Sequence, residues 1–328
     1  MKIKSISGYL IVIIALFSGC KSISSFQIET INPAQINIPG SFNKIVLINL
    51  ENDFNDDNVI DTSLYKIVTN ELSIGFIDGS KQTPNIDSTN LIFYKQLVDK
   101  NLVYKYDTIN WKYFDDLNDS YGTDIAIVID SILLKLDSGE QKNVYTYPEE
   151  YYIYREFEVQ VFWSVYDVIE RKLLDKYIYS DTLLWDASGT SIEELRREFP
   201  SVIQSVKEVC YFSALDYSNR IFPKWEVETR YYFFSGNNDM LKAAELVQKD
   251  DWKGASLIWV KYVSDIDTEI ASRACFNLAV ASEIKGNFND AIFWAQQSYK
   301  NKEKPRTRYY ILQLKNRKYE LEKINKQL

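Results

Sequence analysis

The chain has 328 residues, of which 46% are hydrophobic and 15% aromatic, enough to form packed cores in two domains of ordinary size. Its formal net charge is −8 at pH 7, and this acidic balance argues against nucleic acid as a partner. The chain contains no histidine, which excludes a Ser-His-Asp or Cys-His nucleophile system and any histidine-ligated metal centre.

The N-terminal segment has the layout of a secretory signal. A short basic start precedes an apolar run that is shorter than the ~20 residues needed to span a bilayer. The end of the segment, Leu16-Phe17-Ser18-Gly19-Cys20, resembles a bacterial lipobox, with Phe17 where leucine is usual. The resemblance implies that residues 1–19 are a signal peptide and that Cys20 carries covalent lipid. It also implies an outer-membrane location facing the periplasm, because no acidic run follows the cysteine. The alternative is an ordinary signal peptide with an incidental cysteine.

Residues 20–41 are polar and contain two prolines, which predicts a tether. Residues 42–222 then alternate between strand and helix patterns and predict a mixed α/β (α+β) domain. Strands are predicted at 44–50, 124–136, 151–169 and 172–185, the last two as an antiparallel hairpin. Helices are predicted at 61–77, 91–100 and 111–121, with residues 103–109 extended. A capping box at Ser191 predicts one further long helix toward residue 219, offset or kinked at Pro200.

This order of elements resembles lipoprotein domains of the TolB N-terminal, CsgG-like and penicillin-binding-protein-activator group. The likeness rests on Lys44-Ile45-Val46 at the first strand and on Gly122-Thr123-Asp124 at the start of the strand predicted at 124–136. Such a likeness concerns the fold and implies no activity.

Pro223-Lys224-Trp225 marks the start of a second domain, residues 223–328, which is predicted to be helical from Glu226 onward and to include a helix at 225–235. Ala255 and Ala291 are 36 positions apart, and a helix-pair repeat of about that length resembles tetratricopeptide repeats. Ala243 and Ala279 show the same spacing, and small residues at such positions allow neighbouring helices to approach closely.

The repeat resemblance implies a concave surface lined by the first helix of each pair. Its inward positions correspond to Arg273, Phe276, Val280 and Glu283, which we expect to bind a peptide or a partner helix. The alternative is that the helical tail only packs on the α/β domain. The ten Lys and Arg against three acidic residues between 300 and 328 indicate the solvated face of a terminal helix.

Several motifs together resemble one family of uncharacterised Bacteroidota lipoproteins, grouped as a domain of unknown function, DUF6340. They include the lipobox, Arg230-Tyr231-Tyr232, Gly236-Asn237, Asn277-Leu278-Ala279-Val280 and Gly286-Asn287-Phe288. The resemblance extends over nearly the whole chain, but the motifs are structural and the family implies no activity.

An acidic stretch offers one metal candidate. Asp53, Asn55 and Asp57 alternate as in a calcium loop, yet Asn58 and Leu64 replace the expected glycine and glutamate. We therefore predict a solvated loop and no metal site.

A tyrosine-rich stretch with Glu149 and Glu150 offers a second candidate site. Stacked aromatic rings beside carboxylates bind sugars, whereas a half-buried strand edge is the simpler interpretation. The tyrosines are Tyr145, Tyr147, Tyr151, Tyr152 and Tyr154.

Paired carboxylates, Asp115-Asp116 and Glu193-Glu194, do not form a catalytic pair, because adjacent residues of a helix point about 100° apart. Cys210 and Cys275 lie in apolar surroundings and are predicted to be small buried hydrophobes.

The sequence thus predicts a lipid-anchored, non-enzymatic envelope protein that binds another envelope protein and holds no metal or cofactor beyond the lipid on Cys20. A glycan- or small-molecule-binding lipoprotein and a carboxylate-dependent hydrolase are the alternatives.

Overall fold

The structure is a computed structural model that describes residues 22–38, 44–51, 62–83, 91–93, 97–106, 108–145 and 147–327. Cys20, the signal segment and the acidic positions of the candidate calcium loop lie outside these ranges. The described residues form two compact units. The α/β unit comprises those of Ile31–Trp225 and Lys323–Leu328, and the helical unit comprises those up to Thr30 and Glu226–Glu322.

The elements that lead into and form the α/β unit alternate between strand and helix. In chain order they are β1 (Ile23–Asn32), β2 (Ile45–Asn49), α1 (Thr62–Ser80), β3 (Leu91–Phe93), α2 (Lys100–Val103), β4 (Tyr104–Lys105), β5 (Thr108–Ile109), α3 (Trp111–Tyr121), β6 (Ile125–Asn143), β7 (Glu150–Asp167), β8 (Lys172–Gly189), α4 (Ile192–Glu198) and α5 (Val202–Ile221).

A mixed five-stranded sheet organises the α/β unit, with strand order β3-β2-β6-β7-β8. β2 runs parallel to both β3 and β6, whereas β6, β7 and β8 pair antiparallel. Every residue of β2 is buried because both faces of the sheet are covered. Ile45 and Leu47 pack with α1 and α5 on one face, and Val46 and Ile48 pack with α3 on the other. The mixed α/β domain predicted from the sequence is confirmed.

The predictions for this unit are confirmed for elements whose hydrophobic periodicity is complete within their own residues. The hairpin, the strand from Ile125 and the helix Trp111–Tyr121 are confirmed. The helix predicted at 91–100 is wrong, because Leu91–Phe93 pairs with β2 and the helix begins at Lys100.

The long helix predicted after Ser191 is two helices, since Pro200 interrupts it. Ser191 accepts a hydrogen bond from the Glu194 amide at 3.4 Å and so caps α4. Ser201 accepts one from the Gln204 amide at 3.1 Å and caps α5.

The prediction of a tether over residues 20–41 is wrong for the part that is described. Ile23–Asn32 is a strand, and Ala34 and Ile38 beyond it are buried. Gln327 holds this loop through its side-chain amide, which accepts from the Ala34 amide at 2.9 Å and donates to the Ala34 carbonyl at 3.1 Å. A buried backbone must find hydrogen-bond partners, and here a residue distant in sequence supplies them.

Helices α1 and α5 approach each other closely at two glycines of α1. A Cβ at Gly75 would lie 2.1 Å from the Tyr211 carbonyl oxygen, and a Cβ at Gly79 would lie 1.8 Å from the Ser218 hydroxyl oxygen. Only glycine therefore fits this contact.

The helical unit continues with β9 (Lys224–Phe233), α6 (Asn238–Gln248), α7 (Trp252–Trp259), α8 (Thr268–Ile284), α9 (Phe288–Asn301) and α10 (Pro305–Ile324). β9 pairs with β1 in a two-stranded sheet, so the helix predicted at 225–235 is wrong. The exposure of β9 alternates along Lys224–Thr229, as expected of a strand with one covered face. No helix among the described residues is both long and apolar enough to cross a membrane.

The C-terminal helical region, predicted from Glu226 onward, is confirmed from Asn238 onward, and its helices pack through small residues. Ala243, Ala255, Ala279 and Ala291 are fully buried, as expected of positions where helices approach closely. Ser272 of α8 donates a hydrogen bond to the Ser298 carbonyl of α9 at 2.9 Å, which fixes the register of this pair.

Candidate functional site

The residues predicted to line a partner-binding surface lie mostly in the interior of the helical unit. Phe276, Val280 and Glu283 are 2%, 0% and 6% exposed. The Phe276 ring packs 5.2 Å from the ring of Phe233 on β9 and 5.0 Å from that of Tyr310 on α10. The prediction that these three line an open surface is wrong, because β9 and α10 cover the inner side of α8.

Glu283 is the centre of a buried ionic network. Its carboxylate accepts hydrogen bonds from Arg230 Nε at 2.9 Å, Arg230 Nη2 at 2.8 Å and Tyr310 Oη at 2.6 Å. Glu228 accepts from the third nitrogen of Arg230, Nη1. Burial alone would lower the pKa of Arg230, but the two carboxylates outweigh it and raise the pKa above its ordinary value. The network is satisfied within the unit, which indicates a structural role.

Arg273, the fourth predicted residue, is also engaged. It donates to Glu269 at 2.8 Å and to the Ser235 carbonyl at 2.8 Å, and its guanidinium lies 5.5 Å from the Phe233 ring centroid. Lys302 and Lys304 converge on the same Glu269 carboxylate. Burial alone would raise the pKa of Glu269, but hydrogen bonds from these three cations lower it to about 2.

An open surface of the helical unit lies between β9 and the first turns of α10. A cavity of about 350 Å³ and a second of about 460 Å³ adjoin there, and both are lined by Pro305 and Tyr309. Tyr309 is 63% exposed and Leu312 54% exposed. We call this surface the β9–α10 groove and define it by Thr229, Tyr231, Pro305, Arg306, Arg308, Tyr309 and Leu312.

The β9–α10 groove is aromatic and basic. The Arg306 guanidinium lies 5.0 Å from the Tyr231 ring centroid, an arrangement that leaves its hydrogen-bond donors available. Arg306 and Arg308 are exposed, and neither forms an ion pair with a carboxylate of the described residues. The sequence analysis predicts only an ordinary solvated face for the basic C-terminal stretch. The presence of two arginines and a tyrosine within the four residues Arg306-Thr307-Arg308-Tyr309 is the signal that distinguishes the groove from such a face.

Comparison with known families divides the chain into two regions. Residues 88–233 match a family model described as a domain of unknown function, DUF8603. Residues 241–316 match the model described as a domain of unknown function, DUF6340. This second stretch is a DUF6340 domain. The family resemblance expected over nearly the whole chain is therefore confirmed for residues 241–316 only.

The DUF6340 domain thus contributes Pro305, Arg306, Arg308, Tyr309 and Leu312 to the groove, and β9 lies outside it. No curated protein matches the chain. One similar solved structure is the 1.65 Å resolution structure of the hypothetical protein CT253 from Chlamydia trachomatis. It is 11% identical, covers 54% of this chain and 95% of that chain, and has a TM-score of 0.23.

The tyrosine-rich stretch lies outside the DUF6340 domain, and the structure brings only part of it together. Tyr152 and Tyr154 of β7 stack with centroids 6.1 Å apart and are half-buried. Tyr145 and Tyr147, before β7, are 97% and 101% exposed. Lys142 lies 5.6 Å from the ring of half-buried Tyr151 and pairs with Glu149 at 2.5 Å. The five rings form no single platform.

The carboxylates predicted not to form a catalytic pair are separately engaged or exposed. Asp115 pairs with Arg171 at 2.9 Å, and the backbone amide of Glu194 serves in the cap of α4. Glu193 is exposed in the first turn of the same helix. No cluster of three potential metal ligands occurs among the residues that the structure describes.

A buried polar cluster that sequence analysis missed surrounds Asp130, at a bulge of β6. Ser164 and Tyr104 donate hydrogen bonds to its carboxylate, and Tyr104 Oη lies 3.0 Å from Tyr166 Oη. Burial raises the pKa of Asp130 although both hydroxyl donors oppose the shift. These hydrogen bonds connect β4 to the five-stranded sheet.

Both described cysteines are buried and unpaired by disulfides. Burial raises the pKa of Cys275 to about 11 and that of Cys210 further. Neither is a reactive thiolate at neutral pH, in agreement with their prediction as small hydrophobes.

Proposed function

We propose that this protein is a lipid-anchored, non-enzymatic component of the bacterial cell envelope whose helical unit binds another envelope protein. The observation that carries this proposal is the β9–α10 groove. Exposed tyrosine, leucine and unpaired arginine side chains adjoin there on one surface, and aromatic residues and arginine are enriched where proteins bind each other. The groove replaces the buried surface of α8 as the binding site.

The anchored location rests on the lipobox-like sequence that ends at Cys20. Acyl chains on Cys20 would hold the protein at the outer membrane facing the periplasm. Each methylene group buried in the bilayer would contribute ~0.8 kcal/mol to the free energy of membrane binding. Within the same proposal the α/β unit is a TolB-N/CsgG-like lipoprotein domain, and the pair α8–α9 is a tetratricopeptide-like repeat of a Bacteroidota-type lipoprotein.

Binding is favoured over catalysis because the carboxylates of Glu283, Glu269 and Asp130 already have partners within the protein. Glu283 is neutralised by Arg230, and Glu269 is surrounded by three cations. Asp130 accepts hydrogen bonds from the hydroxyl groups of Tyr104 on β4 and Ser164 on β7. A catalytic acid or base needs a substrate within reach, and these groups are already occupied.

The proposal is tested by site-specific photo-crosslinking in intact cells. A benzophenone amino acid at Tyr309 is expected to give one discrete adduct with a protein of the cell envelope. The same probe at Phe293, which is 50% exposed on α9 outside the groove, is the matched control and is expected to give none. Equal adducts at both positions, or none at Tyr309, would contradict binding through the groove.

The anchor is tested separately. Replacement Cys20→Ala is expected to abolish labelling by radioactive palmitate and to release the protein from the membrane fraction. A Cys20→Ala protein that is still labelled and sedimented with membranes would refute the lipid anchor.

Glycan binding is a second candidate, supported by the nearly complete exposure of Tyr145 and Tyr147. It predicts that the double replacement Tyr145→Ala with Tyr147→Ala abolishes binding to a glycan array, whereas Tyr106→Ala, at an exposed tyrosine elsewhere, does not. An array without any bound glycan would end this alternative.

A further inference from the structure

We infer that the β9–α10 groove binds an extended acidic peptide segment, which adds as a strand to the open edge of β9. This inference rests on the proposed function and names the chemistry and the binding mode of the partner at that same site.

One edge of β9 is occupied by β1. Phe234 donates its amide hydrogen to the Ser22 carbonyl at 3.2 Å, and Thr30 Oγ1 lies 3.4 Å from the Glu226 carbonyl at the other end, so the strands run antiparallel. β1 is the one strand that pairs with β9 within the described chain. Because successive residues of a strand direct their backbone groups to opposite edges, the backbone groups of Phe233 lie on the second edge.

The side chain of Asn277 already uses this second edge. Its Oδ1 accepts from the Phe233 amide at 2.7 Å, and its Nδ2 donates to the Phe233 carbonyl at 2.7 Å. A carboxamide in this position makes the two hydrogen bonds that a peptide group of a neighbouring strand would make. The contact therefore demonstrates that the edge accepts strand-like pairing at one residue.

The next residues on this edge, Tyr231 and Thr229, line the groove cavity of about 350 Å³. No strand of the described chain pairs with them, and the hydrogen bond found at their backbone groups on that side is a weak one, from Arg230 Nη1 to the Thr229 carbonyl at 3.4 Å. A strand edge with unpaired N–H and C=O groups is a template for an added strand. The exposed side chains of Thr229 and Tyr231 would contact alternate residues of the incoming segment.

Charge determines which segment fits. Arg306 and Arg308 contribute two positive charges that no carboxylate of the described residues neutralises, whereas Glu303 is the only acidic side chain that lines either cavity. Arg306 is fixed over the Tyr231 ring, beside the strand edge. Carboxylates of an extended peptide recur about 6–7 Å apart on one face and would pair with these arginines.

The test uses detergent-solubilised full-length protein and a displayed library of random twelve-residue peptides. Enriched peptides are expected to combine at least two acidic residues with β-branched or aromatic residues. Their affinity is measured by fluorescence polarisation, and Arg306→Glu is expected to weaken it at least tenfold. The matched charge reversal Lys318→Glu, at an exposed residue of α10 outside the groove, is expected to change it less than threefold. Enrichment of peptides without acidic residues, or equal losses for both variants, would overturn the inference.

Strand addition is tested with the peptide and with the protein. Two N-methylated forms of an enriched peptide are compared, each with every second backbone amide methylated. Methylation of the amides that face β9 should abolish binding, whereas methylation of the other set should change the affinity less than threefold. A peptide bound as a helix would lose affinity in both forms. Thr229→Pro removes an amide donor on the open edge and leaves the β1 side intact, so the protein should keep its melting temperature and lose at least tenfold in affinity.

Two patterns of failure separate this inference from the proposed function. If the probe at Tyr309 gives adducts in cells but Arg306→Glu does not weaken peptide binding, the inference of an acidic strand is wrong and the proposed binding function is retained. Absence of adducts at Tyr309 would refute the groove as a protein-binding site, and the inference would fall with it.

Discussion

Removal of the Glu283 carboxylate provides a direct test of the buried network in the helical unit. Glu283→Ala leaves Arg230, whose side chain is 2% exposed, with Glu228 as its remaining carboxylate. It also leaves the Tyr310 hydroxyl without its acceptor. Breaking one side of a buried ion pair costs about 3–5 kcal/mol. The retained Glu228 reduces this cost, and we expect a loss of about 3 kcal/mol in the local free energy of unfolding.

The appropriate measurement is hydrogen exchange followed by mass spectrometry, because two units need not unfold in one step. Peptides from α8 and β9 are expected to exchange about a hundredfold faster in Glu283→Ala, since 1.4 kcal/mol corresponds to about a factor of ten. Peptides from α1 serve as an internal control and are expected to exchange at the original rate.

A double replacement distinguishes the loss of a contact from the cost of leaving the buried Arg230 charge without its Glu283 partner. Arg230→Met combined with Glu283→Leu removes both charges and fills similar volume, and such exchanges are often neutral or stabilising. We expect the double variant to recover most of the protection lost in Glu283→Ala. A single variant within 0.5 kcal/mol of the original protein, or a double variant less protected than the single, would refute the account of Glu283 as a structural anion.

The remaining predictions concern pH, helix contact and the C-terminal residues. Because the folded pKa of Glu269 is lowered from 4.5 to about 2, its stabilisation is present above pH 4.5 and is lost as the pH falls through 2. Urea titration measures the difference in free energy of unfolding between the protein and Glu269→Gln. This difference should shrink by about 1–2 kcal/mol over that pH range, a figure reduced because Glu269 is partly exposed to solvent. A difference that does not change with pH would contradict the role of Glu269. Gly75→Ala should destabilise the α/β unit by about 3 kcal/mol, because the added methyl group overlaps α5. Gly122→Ala has open space around it but a φ of 69°, and it should cost about 1 kcal/mol. Both losses are measured by thermal melting. Equal losses would count against the close contact. Gln327→Ala leaves buried backbone groups of Ala34 unpaired and should cost about 2–3 kcal/mol by the same assay, and an unchanged melt would show that water replaces the amide.

Elements whose signal lies within one stretch of chain were predictable from the sequence. The alternation in β7 and β8, the apolar run of β2 and the helix Trp111–Tyr121 each contain their own periodicity. β9 was missed because its partner β1 lies about two hundred residues earlier, in a stretch too polar to suggest a strand. Leu91–Phe93 was missed because three residues are too few to distinguish a buried strand from a helix turn.

The binding site illustrates the same limit. The repeat pattern located the inner face of α8, but it contained no information that β9 and α10 would cover that face. Phe276, Val280 and Glu283 were therefore assigned to a surface when they form a core. The arginines and tyrosines of α10 were visible in the sequence, yet their relation to an open strand edge depends on tertiary pairing.

The division of the chain between the units has a consequence for biosynthesis. The α/β unit includes Lys323–Leu328, and the helical unit includes residues 22–30. The α/β unit is therefore incomplete until Gln327 has been made, because that residue supplies hydrogen bonds to the loop at Ala34, and the helical unit is incomplete until its last helix, α10, has been made. We expect both units to stay incomplete during synthesis until α10 and Gln327 have been made.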